Sequence, residues 1–151
     1  MNKFPTGKFV SLSPNDTFEL GVKIGAGITG GEIIYLIGSL GSGKTLITKG
    51  IVNSLSFDID DVVSPSFTLV NHYETVRANV FHIDLWRLEN SGDAIFAVGL
   101  DEILENEQNV AIIEWADILG ENGGIKPHLV VRIFGDGDDK RIIEISAENT
   151  K

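Results

Sequence analysis

Residues 38–45 read Gly-Ser-Leu-Gly-Ser-Gly-Lys-Thr, a full match to G-x-x-x-x-G-K-[ST]. They stand between an apolar strand-like run, "EIIYLIG", and a helix-like run, "LITKGIVNSL". That placement restricts the fold more than any other feature, because the motif works only where a strand end turns into a helix start. Gly38, Gly41 and Gly43 let the backbone wrap closely, so that successive N–H groups converge on phosphate oxygens. The following helix presents its positive end to the same anion. The Lys44 ammonium reaches the β- and γ-phosphates, and the Thr45 hydroxyl can ligate Mg²⁺. Gly38, Leu40, Gly41, Ser42, Gly43, Lys44 and Thr45 are therefore expected to bind a nucleoside triphosphate. The bland alternative, a chance glycine turn before a helix, does not account for the strand that precedes it.

The remaining chain alternates strand and helix patterns. "KFVSL" has strand character, and "SPND" then has the features of a helix start. Ser13 suits the cap, Pro14 the first turn, and Asp16 completes a capping-box spacing. Leu20, Ile24 and Ile28 follow on one helical face, as do Ile47, Ile51 and Leu55 later. "GAGITG", residues 25–30, matches the dinucleotide fingerprint G-x-G-x-x-G. It closes a helix and leads into a strand, the reverse of the required context, and reads as a plain turn. "TLVNHYE" and "NVFHIDL" form a hairpin or a crossover, "SGDAIFAVGLDEILEN" a helical segment interrupted near Gly99, and "NVAIIEW" a short buried strand. "HLVVRIF" and "RIIEIS" flank "GDGDDK" as a C-terminal hairpin, and "GDGDDK" lacks the acid order of a calcium loop. The expectation is an α/β fold: a P-loop NTPase-like mixed β-sheet flanked by helices, with a C-terminal β-hairpin. A chain of 151 residues suits a single domain over residues 1–151.

A phosphate loop alone leaves the site incomplete. Mg²⁺ needs a carboxylate from a second strand, and hydrolysis needs a group that orients water. "VFHID" ends at Asp84 and "VAIIE" at Glu114. The second run, four apolar residues and then an acid, fits a buried parallel strand and assigns Glu114 to the magnesium shell, directly or through water. Asp84 is a second magnesium-shell candidate or the water-positioning group. His82 shares the strand face of Asp84 and reads as a structural hydrogen-bonding residue rather than a catalytic one. Arg87 can neutralise developing charge, or instead pair with Glu89 or a partner surface.

Composition narrows the partners. The net charge of −10, from 22 acids against 12 bases, argues against an extensive direct grip on nucleic acid. The chain has no cysteine, which fits a reducing compartment and removes thiolate chemistry. No export signal or membrane-length apolar run is present, so a cytoplasmic, membrane-free protein is expected.

"GSLGSGKT", "SPSFTL", "HIDLWRL" and "EWAD", in this order and spacing, resemble the TsaE family (formerly YjeE), over nearly the whole chain. These are small bacterial P-loop ATPases of tRNA threonylcarbamoyladenosine (t6A) synthesis. Where the family reads S-P-T-[FY]-T, this chain has Ser64-Pro65-Ser66-Phe67-Thr68, and Trp86 replaces the tyrosine of H-x-D-x-Y-R. The first change keeps a hydroxyl, and the second keeps an aromatic ring without its phenol. The resemblance implies ATP and Mg²⁺ as cofactors and functional roles for Lys44, Thr45, Asp84, Glu114 and Trp115, with Thr45 and Glu114 at the metal. It also implies that Ser64, Pro65, Ser66 and Thr68 form a switch-like loop near the γ-phosphate. Trp115, which by residue type alone would be a core tryptophan, moves towards a coupling role. The implied partners are the proteins TsaD and TsaB, with tRNA held mainly by them.

Two rival classes stand beside this reading. A small-molecule kinase would need arginines and a lid to clamp two substrates, and this chain has four arginines, at 77, 87, 132 and 141. A nucleotide-gated binding module would use ATP to set shape, with hydrolysis incidental.

Overall fold

The computed structural model describes residues 3–39, 41–62, 70–85, 99–115, 125–135 and 140–148. Within them seven strands make one sheet: β1 (Gly7–Ser11), β2 (Ile33–Gly38), β3 (Val70–Glu74), β4 (Asn79–Asp84), β5 (Asn109–Glu114), β6 (Leu129–Phe134) and β7 (Arg141–Ala147). Their spatial order is β1-β7-β6-β2-β5-β4-β3. The inner four, β6-β2-β5-β4, run parallel, while β3, β7 and β1 join antiparallel at the flanks. The sheet is thus mixed and carries the expected C-terminal hairpin. Parallel pairing sends the ends of β2, β4 and β5 to one edge of the sheet, where the phosphate loop and both candidate acids emerge.

Burial follows from strand alternation. Ile34 and Leu36 of β2, with Val110 and Ile112 of β5, face helices α1 (Pro14–Gly25) and α2 (Lys44–Ser54) in the larger core. Leu20, Ile24, Ile47 and Ile51 fill it from the helix side. Ala111 and Ile113 point the other way, into a smaller core with Ile83, Leu85 and Leu100, the first residue of the short helix α3 (Leu100–Glu105). With both faces covered, β5 is buried from Val110 to Glu114, which explains its unbroken apolar run.

The helix start at α1 behaves as its sequence demands. Ser13 has extended backbone and accepts the Asp16 N–H through its hydroxyl, and Pro14 opens the helix. Asp16 returns a bond one residue further out than a capping box does, accepting the Leu12 N–H at 2.9 Å. Where α1 crosses α2, glycines bring the two backbones together. A Cβ on Gly21 would lie 2.3 Å from the Ile47 carbonyl oxygen, and one on Gly50 2.1 Å from that of Phe18.

Residues 70–84 form a hairpin, not a crossover: β3 and β4 pair antiparallel from Val70↔Ile83 to Glu74↔Asn79. The Thr75 amide and hydroxyl both donate to the Ala78 carbonyl and close its turn. The interrupted helical segment is described only from Gly99, whose positive φ of 67° starts α3. Its first part, like the "SPSF" loop and most of the connection after Trp115, lies outside the described residues. No helix among the described residues is long and apolar enough to cross a membrane.

The fingerprint-like "GAGITG" is a turn, and the structure shows what its amides bind. The Glu32 carboxylate accepts the N–H groups of Thr29 and Gly30 at 2.8 and 2.7 Å, the Thr29 hydroxyl at 3.0 Å, and the Lys3 ammonium. Burial pushes the Glu32 pKa up, but the bonds from Lys3, Thr29 and Gly30 outweigh it and hold the carboxyl below its usual 4.5.

Candidate functional site

The loop leaving β2 turns into α2 through two left-handed residues, Gly41 (φ 77°) and Gly43 (φ 115°). Any residue with a side chain would be strained at both positions. Gly38 is required for space: a Cβ there would lie 2.6 Å from the Ser42 Oγ and 2.9 Å from the Ile133 carbonyl. Gly43 caps α2 without a side-chain hydrogen bond, and the helix therefore opens with backbone N–H groups directed at the loop. Lys44 is buried and bends back along the loop, donating to the Gly38 carbonyl and, at 3.2 Å, to that of Ser39.

The acids come from the neighbouring parallel strands. Asp84 and Glu114 are register partners at the ends of β4 and β5, so their side chains leave the same face about 4.8 Å apart at the backbone. Both are 3% exposed. Two carboxylates buried side by side repel unless cations or donors offset them. Glu114 receives one such donor, the fully buried His82 Nε2, across the strand pair. With Nε2–H donating, His82 Nδ1 has no hydrogen-bond partner among the described residues. His82 thus makes a hydrogen bond within the fold, and the carboxylate it holds is a candidate metal ligand.

Trp115 follows Glu114 with φ 61°, a conformation that a bulky side chain adopts only under constraint. Its ring packs against the smaller core on one side and lies beneath the Lys44 ammonium on the other, 4.4 Å from the ring centroid. The core reading of this tryptophan thus covers one side of the ring, and the other side meets the phosphate-loop lysine.

Gly41, Ser42, Gly43, Lys44, Thr45, Leu46, Lys49, Asp84, Glu114 and Trp115 together line an open cavity of about 370 Å³. Every described member of the expected phosphate loop except Gly38 lines it, and so do both acids and Trp115. Leu40, Ser64, Pro65, Ser66, Thr68 and Arg87 lie outside the described residues. Among those described, no group of three or more His, Asp or Glu side chains is arranged to hold a metal. Mg²⁺ binds through one or two protein oxygens together with substrate phosphates and waters rather than in an all-protein cage. Thr45, Asp84 and Glu114 are the residues that fit it.

Sequence reasoning missed Arg141. From the start of β7 its Nε donates to the Ser42 carbonyl at 2.9 Å, and its Nη2 to that of Gly41 at 3.2 Å. No motif could have announced it, because the contact spans 99 residues and its acceptors are backbone atoms.

Known proteins resemble this chain in sequence and in fold. Threonylcarbamoyladenosine biosynthesis proteins TsaE are similar along most of the chain. The one from Nostoc sp. is 36% identical over 94% of this chain and 86% of its own length, and the one from Bacillus subtilis 32% over 93% and 85%. The Aquifex aeolicus protein is 39% identical over 73% of this chain and 86% of its own. The crystal structure of Bacillus subtilis YdiB superposes with a TM-score of 0.71 at 27% identity, covering 97% of this chain and 88% of that one. The family model for threonylcarbamoyl adenosine biosynthesis protein TsaE matches residues 11–143, which hold the loop, both acids, Trp115 and Arg141, and the chain belongs to that family.

Proposed function

We propose that this single-domain chain is a Mg²⁺-dependent ATPase that binds ATP on residues 38–45 and acts on the TsaB–TsaD complex of t6A synthesis. The observation that carries the reading is the in-register pair Asp84 and Glu114 beside Lys44 and Thr45 in one cavity. The loop amides and Lys44 bind and orient the triphosphate. Thr45 and Glu114 would hold Mg²⁺, which when bound neutralises charge on the phosphate oxygens. His82 keeps one Glu114 oxygen engaged and so fixes the direction of the other. Asp84 positions water or completes the metal shell. In hydrolysis a water oxygen bonds to the γ-phosphorus, the bond to the β,γ-bridging oxygen breaks, and the water proton passes to a base.

The proposed coupling rests on Trp115 and, outside the described residues, on Ser64, Pro65, Ser66, Thr68 and Arg87. The net charge of −10 supports leaving tRNA mainly to the partners. The test is ATP hydrolysis by the purified chain with and without TsaB and TsaD, with Lys44→Ala as the blank. We expect slow turnover alone, a rise of about tenfold or more with the partners, and loss of both in Lys44→Ala and Asp84→Asn. Absence of a partner effect, with phosphate appearing on an added small molecule, would establish a kinase instead. Full support of t6A synthesis by Asp84→Asn, still binding ATP but not cleaving it, would establish a nucleotide-gated binding module.

A further inference from the structure

The described carbonyls of the phosphate loop are all held from outside the cradle or by the loop itself. Gly38 and Ser39 accept Lys44, Ser39 also accepts the Ser42 N–H at 3.1 Å, and Gly43 accepts the Ile47 N–H as α2 begins. Gly41 and Ser42 accept the forked guanidinium of Arg141. A carbonyl turned towards a bound phosphate would repel it, so where these oxygens point matters as much as where the N–H groups point.

In a planar trans peptide the C=O and the following N–H point in opposite directions. By holding the Ser42 oxygen, Arg141 turns the Gly43 N–H to the other side of the loop. By holding the Gly41 oxygen, it turns the Ser42 N–H inward, onto Ser39. Gly41, Ser42 and Gly43 line the cavity and Arg141 does not, so the guanidinium stands behind the loop. Gly41 and Gly43 have no side chains to limit their rotation, which makes this stretch the part of the loop most in need of external restraint.

We infer that Arg141 is a positioning residue: it aims the loop amides and so sets the affinity for the polyphosphate of ATP from outside the site. This rests on the ATP reading above. The guanidinium holds its Nε and Nη2 donors in one rigid plane and so fixes the two carbonyls relative to each other, which the freely rotating donors of an ammonium do not. Arg141 is also the register partner of Ser11 on β1, so β7 is tied to the loop directly and β1 through β7.

Calorimetric titration of the full chain with Mg-ATP and with tripolyphosphate tests this, using Arg141→Gln and Arg141→Lys. Tripolyphosphate has no base or ribose and reports on the loop alone. In Arg141→Gln both dissociation constants are expected to rise by the same factor, about tenfold or more. Arg141→Lys, which keeps the charge, should recover only part of this. The KM for ATP should rise in step while kcat at saturation stays within about twofold, a split that partial unfolding would not produce. Should Arg141→Gln fail to fold, Arg141→Lys decides. Unchanged tripolyphosphate affinity in a folded variant overturns the inference, as does a loss confined to ATP. Failure of the unaltered chain to bind either ligand removes the ATP reading itself, and this role with it.

Discussion

At the scale of single residues, the site depends on where cations rest. The Lys44 ammonium lies over the Trp115 ring, a contact worth about 0.5–2 kcal/mol. A triphosphate in the loop competes for the same ammonium, so nucleotide binding should change the surroundings of the indole. With Trp86→Phe leaving Trp115 as the single tryptophan, addition of Mg-ATP should shift the emission maximum or intensity. Lys44→Ala should abolish the shift, and an ATP-bound protein with unaltered emission would contradict this coupling. How much of the site was legible follows from how its residues act. Lys44 and Thr45 work within one contiguous motif, and Glu114 ends a run of apolar residues that announces a buried strand. Trp115 was legible by type but not by conformation, since φ 61° is imposed by its surroundings. Arg141 left no trace, because every residue has a carbonyl and only the folded chain shows which ones it holds.

At the scale of elements, the α1–α2 crossing reverses an ordinary propensity. Alanine in place of a helix-interior glycine normally stabilises by about 1 kcal/mol. At Gly50 the added Cβ would meet the Phe18 carbonyl at 2.1 Å and the Gly21 Cα at 2.9 Å, backbone atoms that cannot step aside singly. Gly50→Ala should therefore destabilise by about 2 kcal/mol or more, read as a lowered urea midpoint. Because α2 carries Lys44 and Thr45 at its first turn, the same substitution should weaken ATP binding even where the fold survives. The helical stripes that place these helices were plain in the sequence, at Leu20 and Ile24 and again at Ile47 and Ile51. Gly21 and Gly50 carry no such signal, since closeness of two backbones leaves no periodic mark. The pairing of β3 with β4 was likewise open, because "TVRA" suits either a tight turn or the beginning of a longer connection.

At the scale of the whole molecule, Glu32 links distant parts of the chain, joining Lys3 to the turn before the central strand β2. Its folded pKa lies below 4.5 and its unfolded pKa at about that value. The stabilisation is therefore complete above pH 4.5 and is lost as the pH falls through the folded pKa. Glu32→Gln should cost about 1–3 kcal/mol at pH 7. That deficit should shrink in denaturation series carried below pH 4.5, and a pH-independent deficit would exclude the linkage. The order of the seven strands was not legible, because pairing between strands far apart in sequence is decided by the assembled core. One feature of that order has a practical use. The turn of the β3–β4 hairpin lies at the opposite edge of the sheet from Asp84, roughly 17 Å away along β4, and Val76 at its tip is 88% exposed. In a chain with no cysteine of its own, Val76→Cys creates a single thiol for a dye or a surface tether, remote from the nucleotide and addressable without protecting any other residue.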